Sequence, residues 1–177
     1  MKLMIASDIH GSLAYCKQLQ GAFEHEQPDK LLLLGDILYH GPRNALPLDY
    51  SPQEVAALLN SIKESLLCVR GNCEAEVDQM MLDFPVLADY AVLFLQGKTI
   101  YATHGHLTLP PLQKGDILLS GHTHIPLCEE RNGVLCMNPG SVSIPKEDSR
   151  HGYMIFDETS AYWKELDGTV VRTEVVF

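Results

Sequence analysis

Five short apolar runs in this chain each end at a polar side chain. Leu31-Leu32-Leu33-Leu34 stops at Gly35-Asp36, the run from Lys2 to Ala6 at Asp8, and Leu66 to Val69 at Asn72. Lys98 to Thr103 stops at His104, and Ile117 to Ser120 at the pair His122 and His124. Unbroken apolar runs of this length read as strands covered on both faces. The intervening pattern alternates with them. Leu13, Cys16, Leu19 and Phe23 recur at helical spacing before Pro28-Asp29, which makes the first 34 residues a βαβ unit. Ser51-Pro52-Gln53-Glu54 has capping-box spacing ahead of a helix with Val55, Leu58, Leu59 and Ile62 on its apolar face. A short helix is predicted over Glu74 to Leu82, closed by Phe84-Pro85. From Ala91 the pattern turns β-prone, with Ala91–Leu95 and Lys98–Thr103 joined by Gln96-Gly97 as a hairpin. Pro126–Glu130, an Asn132-Gly133 turn, Val134–Met137 and a sharp Asn138-Pro139-Gly140-Ser141 loop follow. Tyr153–Phe156 and Thr169–Phe177, around Asp167-Gly168, read as further antiparallel strands. The class is α/β, and no repeat, linker or low-complexity segment divides the chain.

Composition narrows the picture. At 177 residues and 46% hydrophobic content, the chain supports one domain over 1–177 with a sizeable core. A formal net charge of −10 opposes extended binding to a polyanion, so long nucleic acid is not an expected partner. A small anionic substrate stays compatible if metal ions supply positive charge locally. The five cysteines include no Cys-x-x-Cys and are odd in number, which reads as reduced, mostly buried thiols. A first strand starting beside Met1 leaves no room for a signal segment, and no run approaches membrane-spanning length. The cytoplasm is therefore the expected compartment, with no membrane partner; self-association into a homo-oligomer is compatible with these features.

The polar residues at the strand ends are the candidate chemistry. In open α/β sheets ligands bind outside the carboxyl ends of strands. Asp8-x-His10 and His122-x-His124 each set two side chains on one face of an extended segment. Asn72 offers a neutral carbonyl oxygen. Taken singly, each motif reads equally as a turn aspartate, a turn asparagine or an exposed histidine pair; their common placement argues against that. Arg43, in the loop after Asp36, reads either as a bidentate phosphate contact or as a solvated loop arginine.

In chain order Asp8-x-His10, Gly35-Asp36, Gly71-Asn72, His104-Gly105 and Gly121-His122-x-His124 together resemble the calcineurin-like metallophosphoesterases. The Tyr39-His40-Gly41-Pro42-Arg43-Asn44, Gly71-Asn72-Cys73 and Asn138-Pro139-Gly140-Ser141-Val142-Ser143 segments resemble the small bacterial phosphodiesterases of the YfcE type. The resemblance covers nearly the whole chain. It implies a four-layer αββα sandwich of two mixed sheets flanked by helices. It also implies two divalent ions, one held by Asp8, His10, Asp36 and His124, the other by Asp36, Asn72, His104 and His122, with Asp36 bridging. Such ions, about 3.5 to 4 Å apart, would share and deprotonate a water that attacks phosphorus. Mixed imidazole and oxygen ligands suit Mn²⁺, Fe²⁺, Zn²⁺ or Ni²⁺, and the family favours Mn²⁺. The implied activity is a phosphodiesterase acting on small phosphoesters. A non-catalytic scaffold of the same fold, or a nuclease or phosphomonoesterase of the same superfamily, are the alternatives. One departure stands out: many relatives carry histidine where this chain has Cys73, near the leaving group. A thiol is a poorer acid there, which leaves His106 or a metal-bound water as candidate proton donor, Cys73 as a substrate contact, and Glu74 as either orienting a neighbour or solvated.

Overall fold

The computed structural model describes residues 1–177 and contains two mixed sheets. The first is built on β1 (Leu3–Ala6), β2 (Lys30–Leu33) and β3 (Leu66–Cys68), which run parallel. Helix α1 (Leu13–Glu26) and helix α2 (Pro52–Asn60) supply the crossovers, as βαβ connection requires. A short helix α3 (Glu76–Met81) follows β3. The second sheet comprises β4 (Tyr90–Leu95), β5 (Lys98–Thr103), β6 (Ile117–Leu119), β7 (Leu127–Arg131) and β8 (Val134–Asn138), in the order β4-β5-β6-β8-β7. The chain then returns to the first sheet as β9 (Gly152–Phe156), β10 (Ser160–Glu165) and β11 (Val170–Val175). The completed order there is β11-β10-β9-β1-β2-β3. The two predicted two-residue turns, Gln96-Gly97 and Asn132-Gly133, close β4–β5 and β7–β8 with both residues at positive φ.

The leucine-rich pattern sorts onto two faces. Met4, Ala6, Leu31 and Leu33 pack under the helices with Leu13, Cys16, Leu19, Val55 and Leu59. Leu3, Ile5, Leu32 and Leu34 face the other sheet and meet Ile100, Ile117, Leu119 and Met137. Every residue of β1 and the leucines of β2 are buried because both faces are covered. The helices gather on the six-stranded sheet. On the outer face of the five-stranded sheet Leu118, Val134 and Cys136 are covered in part by Leu112, while Tyr90, Val92 and Phe94 stay exposed.

Three local expectations shift. Ser51 does cap α2, but its hydroxyl donates to the Glu54 carboxylate (3.2 Å) rather than accepting a backbone N–H. The helix expected from Glu74 starts at Glu76, where the Asp78 carboxylate accepts the Ala75 N–H at 2.8 Å. β10 was not separable from the flanking turns in the sequence; its Trp163 is buried and donates Nε1–H to the Asn138 carbonyl at 2.7 Å.

Candidate active site

The parallel trios β1-β2-β3 and β5-β6-β8 point their carboxyl ends toward one edge of the sandwich. The residues following those ends converge there. Asp8, His10 and His124 bring ligand-type atoms within 4.8 Å of one another, as do Asp8, Asp36 and His104. His124 Nε2 lies 3.3 Å and His10 Nε2 3.6 Å from Asp8 Oδ1. Asp36 Oδ2 lies 3.6 Å from His10 Nε2 and 3.5 Å from His104 Nε2, so one oxygen faces both halves of the cluster. His104 Nε2 is in turn 3.2 Å from Asn72 Oδ1 and 3.2 Å from His122 Nδ1. The seven strand-end residues predicted as ligands therefore form one continuous cluster.

The backbone is bent to achieve this. Asp8, His10, Asp36, His122 and His124 all take left-handed φ between 49° and 65°. For non-glycine residues that conformation is unfavourable and concentrates at functional sites; aspartate and histidine tolerate it better than most. The turns are held from behind. Ser141 and Ser143 hydroxyls donate to the Asp8 carbonyl at 2.8 and 3.0 Å. Asn138 Nδ2 donates to the Gly121 carbonyl at 2.7 Å. This is the work of the Asn138–Ser143 loop, whose sequence showed a sharp turn without showing what it supports.

Ring orientation fixes what the imidazoles offer. Nδ1 of His10, His104 and His124 lies 2.8, 2.7 and 2.6 Å from the carbonyls of Tyr39, Leu34 and Ile144. A carbonyl only accepts, so Nδ1 carries the proton and the Nε2 lone pair of the neutral ring is directed inward. Orientation of this kind accompanies metal ligation. Asp8 is fully buried, and its Oδ1 has no hydrogen-bond partner at all. An orphaned buried carboxylate oxygen surrounded by imidazole lone pairs is costly unless a cation joins them. The donor set fits divalent metal ions.

Proton sharing shows the same frustration. Burial disfavours a charged His104, but the Asp36 and Asp8 carboxylates outweigh it and push its pKa up to about 9. Burial likewise opposes, and Asp8 then wins in, a raised His10. Asp36 lies well below the usual carboxylate range because His104 overrides its burial. Burial holds His122 and His124 below the ordinary imidazole value.

Above this floor opens a cleft of about 920 Å³ walled by Tyr39, Arg43, Asn44, Cys73, Thr123 and Lys146. Arg43 and Cys73 both line this cleft. Burial, and then the Asp36 carboxylate, push the Cys73 thiol far above its usual range. His106 is not part of that wall. Its ring packs edge-on against His104 with centroids 5.4 Å apart, and burial followed by the His104 charge lowers its pKa. One residue was missed: Lys146, in a polar loop remote in sequence, carries no motif. Of the two readings of Glu74, its burial excludes the solvated one.

The buried His and Asp cluster thus lies at the carboxyl edge of two mixed sheets, as a candidate metal centre. Residues 1–161 match the calcineurin-like phosphoesterase superfamily domain, and the chain belongs to that family. It is 47% identical over 161 residues to the phosphodiesterase YfcE of Escherichia coli K12, a match covering 89% of this chain and 88% of that one. A solved structure of YfcE, described as a phosphoesterase from E. coli, superposes with a TM-score of 0.95 at 42% identity, over 100% of both chains. The vacuolar protein sorting 29 protein of Cryptosporidium parvum shares the fold, with a TM-score of 0.64 at 20% identity over 98% and 96% of the two chains. No helix is long and apolar enough to cross a membrane.

Proposed function

We propose that this protein is a phosphodiesterase hydrolysing small phosphoesters with two divalent metal ions, Mn²⁺ foremost, in the cytoplasm. Asp8, His10, Asp36 and His124 would hold one ion; Asp36, Asn72, His104 and His122 would hold the other. The observation that carries the reading is the Asp8 Oδ1 orphan, ringed by inward-facing imidazole nitrogens and facing Asp36 Oδ2 across the cluster. When bound, such ions supply an activated water near neutral pH and stabilise charge developing on phosphoryl oxygens.

The chain's own residues do the rest. Asp36, with one oxygen facing both halves of the cluster, would screen two such cations from each other. The Tyr39, Leu34 and Ile144 carbonyls keep His10, His104 and His124 in the tautomer that ligates. Arg43, with no carboxylate partner, offers a planar fork to a non-bridging phosphate oxygen. Lys146, likewise unpaired, adds a second positive charge to the same cleft, which suits an anionic ester in a chain that is otherwise acidic. Cys73 stands on the wall beside Asn72, and its thiol, held protonated, is a weak donor toward a leaving oxygen. The 47% identity to YfcE supports diester over monoester chemistry.

The test is a panel of phosphomonoesters, phosphodiesters and cyclic nucleotides, assayed with chelated protein and with the same protein reloaded with Mn²⁺. Diester turnover restored by Mn²⁺ is expected. Turnover unchanged by chelation, or confined to monoesters, overturns the reading.

A further inference from the structure

Glu74 bonds to no ligand side chain and lies in no helix or strand, yet it is only 4% exposed. Both of its oxygens are committed. Oε2 accepts the N–H of Asp36 at 2.9 Å and of Gly71 at 2.5 Å, and Oε1 accepts the N–H of Ile37 at 2.7 Å. One carboxylate therefore joins the turn that ends β2 to the turn that ends β3. We propose that Glu74 is a positioning residue: by clamping these two turns together it sets the spacing of Asp36 and Asn72, and so the affinity of the metal position they share. The proposal rests on the two-metal reading above.

The local geometry explains why a carboxylate is needed. Asp36, at φ 56°, presents its own N–H and the next one to the same side. Successive N–H groups around a left-handed residue form an anion-binding concavity. Glu74 fills that concavity from within the chain. The two turns also meet backbone to backbone. A Cβ on Gly35 would lie 2.4 Å from the Gly71 nitrogen, and one on Gly71 would lie 2.1 Å from Asp36 Oδ1, so only glycines allow the approach. Beyond Glu74, the Cys73 N–H donating to Asp36 Oδ1 at 2.9 Å also ties one turn to the other. A glutamine at position 74 would retain one acceptor oxygen and turn an NH₂ toward an N–H. An aspartate would keep the charge but withdraw it by one methylene.

The experiment compares wild type, Glu74→Gln and Glu74→Asp after chelation, by calorimetric titration with Mn²⁺ and by electron paramagnetic resonance of the loaded proteins. Wild type should take two ions and show a spin-coupled pair. Both variants should keep one ion, weaken the other by about 10- to 100-fold, the range for lost supporting contacts to a metal ligand, and show isolated Mn²⁺ instead. Wild-type behaviour in both variants overturns the proposal. So does wild-type affinity in Glu74→Asp alone, which would leave only a charge effect. Failure of wild type to bind two ions would instead remove the two-metal reading on which the proposal stands. Should both variants unfold, amide hydrogen exchange of chelated wild type decides the matter. Asp36, Ile37 and Gly71 should be protected, and exchange at open-loop rates would overturn the clamp.

Discussion

Two buried charged clusters sit at opposite ends of β1, and they treat their polar atoms in opposite ways. At the amino end, the Glu26 carboxylate accepts from Lys2 Nζ at 2.6 Å, from Lys164 Nζ, and from the Tyr153 hydroxyl at 3.1 Å. Every oxygen there has a donor. Burial raises the Glu26 pKa, but the two lysines more than offset it and bring it down to about 2. At the carboxyl end, Asp8 Oδ1 has no donor, and imidazole nitrogens approach one another at 3.3 Å for His10 and His124 and 3.2 Å for His104 and His122. A closed network of this sort holds a fold together, whereas an unpartnered buried carboxylate oxygen crowded by imidazole nitrogens suits a bound cation. Burial is common to both clusters; internal satisfaction separates them.

The strongest way to break this contrast is Asp36→Asn, which removes the charge shared by both halves of the carboxyl-end cluster. Metal content should fall from about two ions toward less than one, with kcat/KM down by about 10³-fold or more, the scale of losing a central electrostatic contact. Two tightly held ions by elemental analysis and unchanged turnover would show that Asp36 is not the bridge. Stability should change far less than activity.

Glu26→Ala should do the reverse. It leaves Lys164 without its partner and should cost about 3 kcal/mol in denaturant unfolding, at the lower end for breaking a buried pair, with metal stoichiometry untouched. If metal binding fell in parallel, the two ends would not be independent.

Cys73→His sharpens the functional side. An imidazolium donates to a leaving oxygen better than this thiol, so poor leaving groups should gain about 10²-fold while activated aryl diesters gain little. The measurement is kcat/KM across esters of graded leaving-group pKa, with metal content checked in both proteins. Parallel dependences of equal slope would mean that residue 73 does not assist departure.

Arg43→Ala and Lys146→Ala test the cleft wall above the cluster. Arg43→Ala should spare metal binding and lower kcat/KM by about 2 kcal/mol, the range for a charge-assisted hydrogen bond. Lys146→Ala, removing a point charge from a solvated rim, should cost about 1 kcal/mol or less, and the loss should shrink with added salt. Unaltered kinetics across several esters would return either residue to the solvent.

The smallest effect is in pH. The folded pKa of His104, about 9 against 6.5, is raised, so in chelated protein its contribution is complete below pH 6.5 and lost as pH rises through 9. The folded pKa of Glu26, about 2 against 4.5, is depressed, so its contribution is present above pH 4.5 and lost as pH falls through 2. Tm should drop by a few degrees in each window. Mn²⁺ should remove the alkaline loss, since a ligating imidazole is neutral, and leave the acid loss in place.

Much of this was legible in one dimension. Four consecutive leucines before Gly35-Asp36 read as a doubly covered strand, and the recurrence of Asp, Asn and His after such runs located the residues that cluster at the sheet edge. Those signals are local: periodicity, glycine and the polar residue at a strand end lie within a few positions of one another. Ser160–Glu165 was hidden because only Ala161, Tyr162 and Trp163 are apolar in it, while Lys164 is placed by Glu26 from across the fold. His106, a candidate proton donor by its place in the sequence, does not line the cleft.

The sequence by itself determined the class of fold, the family and the chemical identity of the ligand candidates, since burial pattern and side-chain type are properties of short segments. Only the tertiary structure decided which atoms face one another. Asp8 Oδ1 is orphaned, Glu74 is a clamp and Lys146 overlooks the cleft because segments 30 to 140 residues apart meet at one edge. Whether a polar atom is satisfied depends on neighbours that no local pattern specifies.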